Sequence, residues 1–188
     1  MPPPTAGRRF CLYDTRELDA ILQAMASHAA ALLPPQRSAL VGILRRGEPL
    51  ARMLQHHLAR LTGQAELPLY GLKVRRYADD LSLLHAQTEL TENPQLARLD
   101  LAGTTLLVVD DVLYEGHSLL RTCAYLAQLG ARTVRTAVLV DRCICKQPVR
   151  ADIVGVRLQV APGDIIECNV PPYEDAFRID LRRQGAAR

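Results

Sequence analysis

Apolar residues in the first third of the chain recur at helical spacing. Leu18, Ile21, Leu22, Met25, Ala29 and Leu32 fall three or four apart and define one buried helical face. Asp14 followed three residues later by Glu17 is a capping box, and Pro34-Pro35 stops the pattern, so a helix is predicted from Asp14 to Leu33. Ser38 to Leu44 is a continuous apolar run with β-branched members and reads as a buried strand broken by Arg45-Arg46-Gly47. A second helix is predicted from Glu48 to Leu61, with Pro49 in its first turn, where a missing N–H costs nothing. Leu67 to Arg76 has strand character interrupted by Pro68 and Gly71. Residues 77–98 are polar and aperiodic, too long for a simple connector, and imply a mobile functional loop or a hairpin. The strongest strand runs from Thr104 to Val109 and is expected to end at Asp110-Asp111. A Gly116 turn leads to a helix with Leu119, Leu120, Cys123 and Leu126 on one side and Gly130 just beyond its end. Thr133 to Val140 is another strand ending in an acid, Asp141, and short strands are expected at 151–156 and 164–167. Residues 1–9 and 178–188 read as flexible, polar ends.

Helices and strands thus alternate, which implies an α/β fold with a parallel sheet covered on both faces. Ligands of such sheets bind beyond the carboxyl ends of the strands. Three of the strands end in polar clusters, Arg45-Arg46-Gly47, Asp110-Asp111 and Asp141-Arg142, which the topology gathers on one rim.

Composition adds exclusions. A chain of 188 residues with 48% hydrophobic and 23% charged residues is an ordinary globular domain, expected here as one unit over 1–188. Net charge is only +3, from 23 basic and 20 acidic residues, too modest for a dedicated nucleic-acid binder. Five cysteines in no regular framework, with Cys143-x-Cys145 lacking metal spacing, argue against a disulfide scaffold or a structural metal site. No stretch has the length and apolarity of a secretion signal or a membrane span, so a cytoplasmic protein with reduced thiols is expected, with no membrane partner.

The chemistry concentrates between Leu106 and Ser118. Four apolar residues place adjacent carboxylates, Asp110 and Asp111, at a strand tip, where their mutual repulsion calls for a partner that binds both. A vicinal diol does so, and so does a divalent cation. The turn that follows, Tyr114-Glu115-Gly116-His117-Ser118, runs into a helix N-terminus, whose backbone N–H groups suit a phosphate. A diol site joined to a phosphate cradle describes a 5-phosphoribosyl group.

This segment resembles the phosphoribosyl diphosphate (PRPP) signature of type I phosphoribosyltransferases. Val41 to Gly47 resembles their pyrophosphate loop, Tyr77 to Ser82 the start of their flexible catalytic loop, and Ala137 to Arg142 with Pro148 to Gly155 the nucleobase side. The order and spacing of these blocks most resemble the PyrR group, pyrimidine-operon regulators that double as uracil phosphoribosyltransferases. The resemblance implies the family's fold, a parallel twisted sheet with helices on both faces and a small hood built from N- and C-terminal segments. It implies Asp110 and Asp111 on the ribose hydroxyls and Tyr114, Glu115, Gly116, His117 and Ser118 around the 5′-phosphate. It further implies Arg45, Arg46 and Gly47 facing the pyrophosphate, and Arg75, Arg76, Tyr77, Asp79 and Asp80 in the closing loop. Val140, Asp141 and Arg142 would lie on the nucleobase side. Mg²⁺ is expected as the cofactor, carried by PRPP with no metal held directly by protein groups, except for a contribution from Asp110 and Asp111. The implied partners are PRPP and a nucleobase, in a homodimer or higher homo-oligomer, and the implied reaction converts PRPP and uracil to UMP and pyrophosphate.

The chain departs from the family pattern at Glu115, where Thr is usual, at His117, where Arg is usual, and at Ala78. Tyr114 stands where hypoxanthine-type enzymes carry an acid and Asp141 where they carry Lys, and both favour a pyrimidine. A purine phosphoribosyltransferase is the enzyme alternative. A PRPP-sensing protein with little turnover is another, motivated by Glu115 and Ala78. RNA binding, through Arg8, Arg9, Arg16, His28, Arg132 and Arg135, is a further alternative that the low net charge disfavours.

Overall fold

The computed structural model describes residues 8–75, 89–91 and 93–183. Its elements run β1 (Arg9–Tyr13), α1 (Thr15–Leu32), β2 (Ser38–Leu44), α2 (Gly47–Thr62), β3 (Leu69–Arg75), β4 (Glu89–Thr91), a 3₁₀ turn (Leu96–Arg98), β5 (Thr105–Leu113), α3 (His117–Gln128), β6 (Thr133–Asp141), β7 (Ile153–Arg157), β8 (Ile165–Asn169) and β9 (Arg178–Arg182). Six strands form one sheet in the order β4-β3-β2-β5-β6-β7, parallel except for β4, which pairs antiparallel with β3. The aperiodic stretch after β3 therefore includes the return strand of a hairpin, whose connection at 76–88 lies outside the described residues.

Each face of the sheet is covered because consecutive residues of its central strands are all apolar. Leu106, Leu107, Val108 and Val109 are fully buried. Leu107 and Val109 pack with the α1 and α2 residues Leu18, Leu22, Met25, Leu50 and Leu54, while Leu106 and Val108 pack with Leu119 and Leu126 of α3. Burying each such side chain is worth roughly 1.5–3 kcal/mol, so the two-sided run makes β5 the fixed reference for everything at its tip. The Asp14 capping box opens α1 as the sequence predicts, with Asp14 Oδ1 accepting from the Glu17 N–H and Glu17 returning the bond to the Asp14 N–H, each at 2.9 Å.

Two sequence expectations are corrected. β5 does not end at Asp110-Asp111 but continues to Leu113, because β6 stays alongside it as far as the Leu113–Asp141 pair. The expected polar tail also contains a strand. Arg178–Arg182 forms β9, the centre of a second, antiparallel sheet in the order β1-β9-β8. Ile179 is fully buried against the α1–α2 side of the core, with Phe177, Ile166 and Val170. Buried Asp180 is satisfied by an ion pair with Arg178 Nε at 3.0 Å and by Asn169 Nδ2, which donates to it at 3.1 Å. Arg9, expected in the frayed N-terminus, opens β1 and pairs with Glu167 at 2.6 Å. Residues 1–7 and 184–188 lie outside the described residues. The small sheet stands as a hood over one end of α1, where Thr15 Oγ1 donates to the Phe177 carbonyl at 2.8 Å.

Candidate active site

The order of crossovers fixes where a crevice must open. From β2 the chain passes through α2 to β3 on one side; from β5 it passes through α3 to β6 on the other. The β2–β5 boundary is therefore the topological switch point of the sheet. Pairing between these strands stops at Gly42–Val109, while β5 runs on with β6 alone. The turn Arg45-Arg46-Gly47 fills the vacated side. It can do so because of its own Gly47 and of Gly42 in β2. A Cβ on Gly47 would lie 2.5 Å from the Val109 carbonyl oxygen, and one on Gly42 would lie 2.4 Å from the Glu48 Cα. The start of α2 thus rests directly on the backbone of β5 just before the two acids.

Asp110 and Asp111 sit half-buried at this tip. Asp110 Oδ1 accepts from the Asp111 N–H, and Asp111 Oδ1 from the Val112 N–H, each at 2.9 Å. Burial pushes the Asp110 carboxyl well above its usual range, and the adjacent Asp111 charge adds to the rise. Burial also raises Asp111, opposed by the Arg46 guanidinium. A pair in this state gains from a ligand that donates hydrogen bonds to both members.

Beyond Leu113 the chain turns into α3. Gly116, at φ 87°, is the N-cap and, being glycine, offers no side chain to cap the first N–H groups of α3. Asp110, Tyr114, Glu115, Gly116, His117 and Ser118 line one cleft. A Cβ on Gly116 would meet Cys145 Sγ at 2.4 Å and Val149 Cγ1 at 2.9 Å, so the 143–149 segment forms the outer wall of this turn. Glu115 points into that wall: Lys146 Nζ lies 2.6 Å from its Oε1 and His117 Nε2 3.5 Å from its Oε2. The departure from the family's Thr is accommodated as an ion pair with Lys146.

On the β6 side, Val140 is buried and Asp141 Oδ1 accepts from the Cys143 N–H at 2.8 Å. Arg142 is buried, with its guanidinium over the Tyr114 ring at 5.4 Å. Its Nε has no hydrogen-bond partner among the described residues. On the hood side, Arg45 stands over the Tyr173 ring at 5.1 Å, and Arg46 bonds Glu174 through Nε and Nη2. Partial burial would raise Glu174, but the Arg46 bond, the Val170 N–H and the charges of Arg46 and Arg45 together outweigh it and hold the carboxyl below its usual range. Neither Tyr173 nor Glu174 is foreseeable from sequence, because the partners of this contact are 128 residues apart. Of the expected closing-loop residues, Arg75 ends β3, and Arg76, Tyr77, Asp79 and Asp80 lie outside the described residues. The structure thus brings the Arg45–Gly47, Asp110–Ser118 and Val140–Arg142 groups to one rim.

Among the described residues no group of three or more His, Cys, Asp or Glu side chains forms a metal cage. The donors present, two carboxylates on a rim, suit Mg²⁺ that keeps most of its water and arrives on a phosphate ligand.

An acid pair and a glycine-capped helix N-terminus at the switch point of a doubly covered sheet define a class, and comparison with known proteins identifies it. The phosphoribosyl transferase domain model matches residues 12–176. The chain is 34% identical to the Bifunctional protein PyrR of Actinobacillus pleuropneumoniae serotype 5b over 145 residues, 77% of this chain and 79% of that one. It is 36% identical to the Bifunctional protein PyrR of Thermus thermophilus over 154 residues, 79% of this chain and 81% of that one. Among solved structures it is similar in fold to a hypoxanthine phosphoribosyltransferase from Trypanosoma cruzi in complex with the product IMP, with TM-score 0.74 and 17% identity over 97% of this chain and 98% of that one. The chain belongs to the phosphoribosyl transferase domain family, among relatives named PyrR, and its fold is the type I phosphoribosyltransferase fold. Phosphoribosyl transfer from PRPP is the chemistry this membership supports.

Proposed function

We propose that the protein transfers the 5-phosphoribosyl group of PRPP to uracil, forming UMP and pyrophosphate. The observation that carries this is one cleft lined by Asp110 and the Tyr114–Ser118 turn, where the strand that bears the Asp110–Asp111 pair leads into a helix N-terminus with a glycine N-cap. The carboxylates accept from the ribose 2′ and 3′ hydroxyls. The Tyr114–Ser118 turn takes the 5′-phosphate on backbone N–H groups and on the positive end of α3. Arg45, Arg46 and the Gly47 backbone face the pyrophosphate, and the family resemblance assigns Arg75, Arg76, Tyr77, Asp79 and Asp80, of which only Arg75 lies within the described residues, to the catalytic loop on that side. Held this way, the C1′–pyrophosphate bond breaks with charge separating between an oxocarbenium-like ribose and the diphosphate. Arg45 and Arg46 stabilise the leaving group, so the work is positioning and electrostatics and requires no strong nucleophile. Closure excludes the water that would otherwise capture the ribose. Asp110 and Asp111 are the groups that would contact Mg²⁺ carried by PRPP, which when bound would neutralise the diphosphate charge.

Uracil attacks through N1, which is flanked by the C2 carbonyl; the N1–C1′ bond forms as the C1′–pyrophosphate bond breaks, and the N1 proton leaves to the departing pyrophosphate. Arg142, whose guanidinium lies over the Tyr114 ring, is a cation on this side and stabilises the deprotonated ring. Val140 and Asp141 complete that side. The phosphate loop carries Tyr114 where a purine enzyme of this family has an acid, which weighs against a purine. The relatives named PyrR weigh the same way, whereas the hypoxanthine phosphoribosyltransferase likeness is one of fold. The RNA-binding reading draws less support, since two of its candidate residues are spent in ion pairs: Arg9 with Glu167, and Arg135 with Asp152 at 3.1 Å. The family resemblance extends the proposal to a cytoplasmic homodimer or higher oligomer.

The test is a base screen. Protein, Mg²⁺ and PRPP are mixed separately with uracil, hypoxanthine, guanine, xanthine and orotate, following pyrophosphate release and identifying the nucleotide. UMP as the main product supports the reading. IMP, GMP or XMP moves the protein to the purine enzymes, and binding of PRPP without turnover makes it a sensor.

A further inference from the structure

Both arginines of the turn after β2 are held by neighbouring residues of the hood, Arg45 by the ring of Tyr173 and Arg46 by the carboxylate of Glu174. The second contact is the more directional. Arg46 Nε lies 3.1 Å from Glu174 Oε1 and 3.2 Å from Oε2, and Nη2 also donates to Oε1. Glu174 is itself anchored, because its Oε2 accepts the Val170 N–H at 2.8 Å. A guanidinium presents two edges to anions, one formed by Nε with one terminal nitrogen and one formed by the two terminal nitrogens. Glu174 takes the first edge. The second edge, Nη1 with the outer N–H of Nη2, is not used by that contact.

We infer that Glu174 is a positioning residue, fixing Arg46 side-on so that its terminal edge is offered to the diphosphate of PRPP. The inference rests on the site reading above and adds to it a residue on the hood, outside every motif of the sheet. Pre-organising a long, rotamer-rich side chain removes part of the entropy that binding would otherwise cost. The sign of the effect separates this role from plain electrostatics. A carboxylate near a diphosphate repels it, so on charge alone its neutralisation tightens diphosphate binding. Positioning demands the opposite.

The experiment compares the full chain with Glu174→Gln, Arg46→Ala and the double variant. Glutamine keeps an oxygen for the Val170 N–H, so the hood anchor survives. Pyrophosphate with Mg²⁺ is titrated calorimetrically into each protein, and KM for PRPP and kcat are measured with the base the wild type uses. Glu174→Gln weakens pyrophosphate binding and raises KM for PRPP by about tenfold, equivalent to about 1.4 kcal/mol, with a smaller change in kcat. In the Arg46→Ala background the same substitution changes neither quantity. Unchanged or tighter binding by Glu174→Gln overturns the inference, and so does an equal loss in both backgrounds, which would trace the effect to the hood instead of Arg46. Wild-type protein that binds neither pyrophosphate nor PRPP overturns the site reading itself, and the positioning role with it.

Discussion

Replacing Gly47 by alanine perturbs the site through a single methyl group, and the structure sets the size of the effect. The new Cβ would lie 2.5 Å from the Val109 carbonyl oxygen and 3.2 Å from the Asp110 Cα. An unstrained carbon–oxygen contact needs about 3.3 Å, so something must move by about 0.8 Å. β5 cannot yield, since Val109 is fully buried and the strand is packed on both faces. The turn carrying Arg45 and Arg46 therefore moves away from Asp110 and Asp111. Overpacking of this kind costs about 1–3 kcal/mol, within the ~5–15 kcal/mol stability of an ordinary domain, so the protein still folds. A displacement near 1 Å between catalytic groups costs up to about a hundredfold in rate, and kcat/KM for PRPP is expected to fall between about thirty- and a hundredfold. The assay is pyrophosphate release under saturating nucleobase, with a thermal melt alongside. Gly63→Ala is the matched control. Gly63 is also strained for alanine, at φ 67°, but its Cβ would meet nothing within 4 Å at the far end of α2, so it loses stability without losing rate. A Gly47→Ala protein with wild-type kcat/KM would refute the claim that close contact of this turn with β5 builds the site.

Asp110→Asn relieves the burial of a charge. Because the folded carboxyl is raised, the native state holds its proton more tightly than the unfolded chain, and wild-type stability falls as pH climbs above the unfolded carboxyl value and through the folded one. The variant is therefore more thermostable than wild type at pH 7 to 8 and equal to it near pH 4, as melts across pH will show. Glu115→Thr removes a carboxylate from the phosphate turn and lowers KM for PRPP by a few-fold, whereas Lys146→Met takes one cation from beside that carboxylate and raises it by about threefold or less, given how exposed Lys146 is. Thiol alkylation of the native protein, read by mass spectrometry, labels the exposed Cys11 and Cys143 first. Cys123, half-buried and with its thiol pushed up to about 11 chiefly by burial, reacts slowly, and the buried Cys168, its thiol also pushed up chiefly by burial, reacts only on unfolding.

The parts of this molecule that the sequence makes legible are those written in local pattern. The α1 cap needs only Asp14 and Glu17, and β5 announces itself because two covered faces demand an unbroken apolar run. β9 is readable but disguised. Arg-Ile-Asp-Leu-Arg alternates strictly, the signature of a strand, yet Arg and Asp at alternate positions resemble a solvated tail until Arg178 and Asn169 are seen to satisfy Asp180. The extension of β5 past Asp110 depends on how far β6 travels beside it, which no local pattern encodes. The candidate site divides the same way. The acid pair and the glycine turn stand adjacent in the chain. Glu174 reaches Arg46, and Cys145 reaches Gly116, only through tertiary packing of the hood and of the 143–149 segment.

The central claim is that Asp110 and Asp111 hold the ribose hydroxyls of PRPP. Calorimetric titration of PRPP with Mg²⁺ into wild type and Asp111→Asn tests it most directly, with melts to show that both are folded. The account predicts a loss of affinity of at least about tenfold, one charge-assisted hydrogen bond being worth about 1.5–3 kcal/mol. A folded Asp111→Asn protein that binds PRPP as tightly as wild type would contradict it.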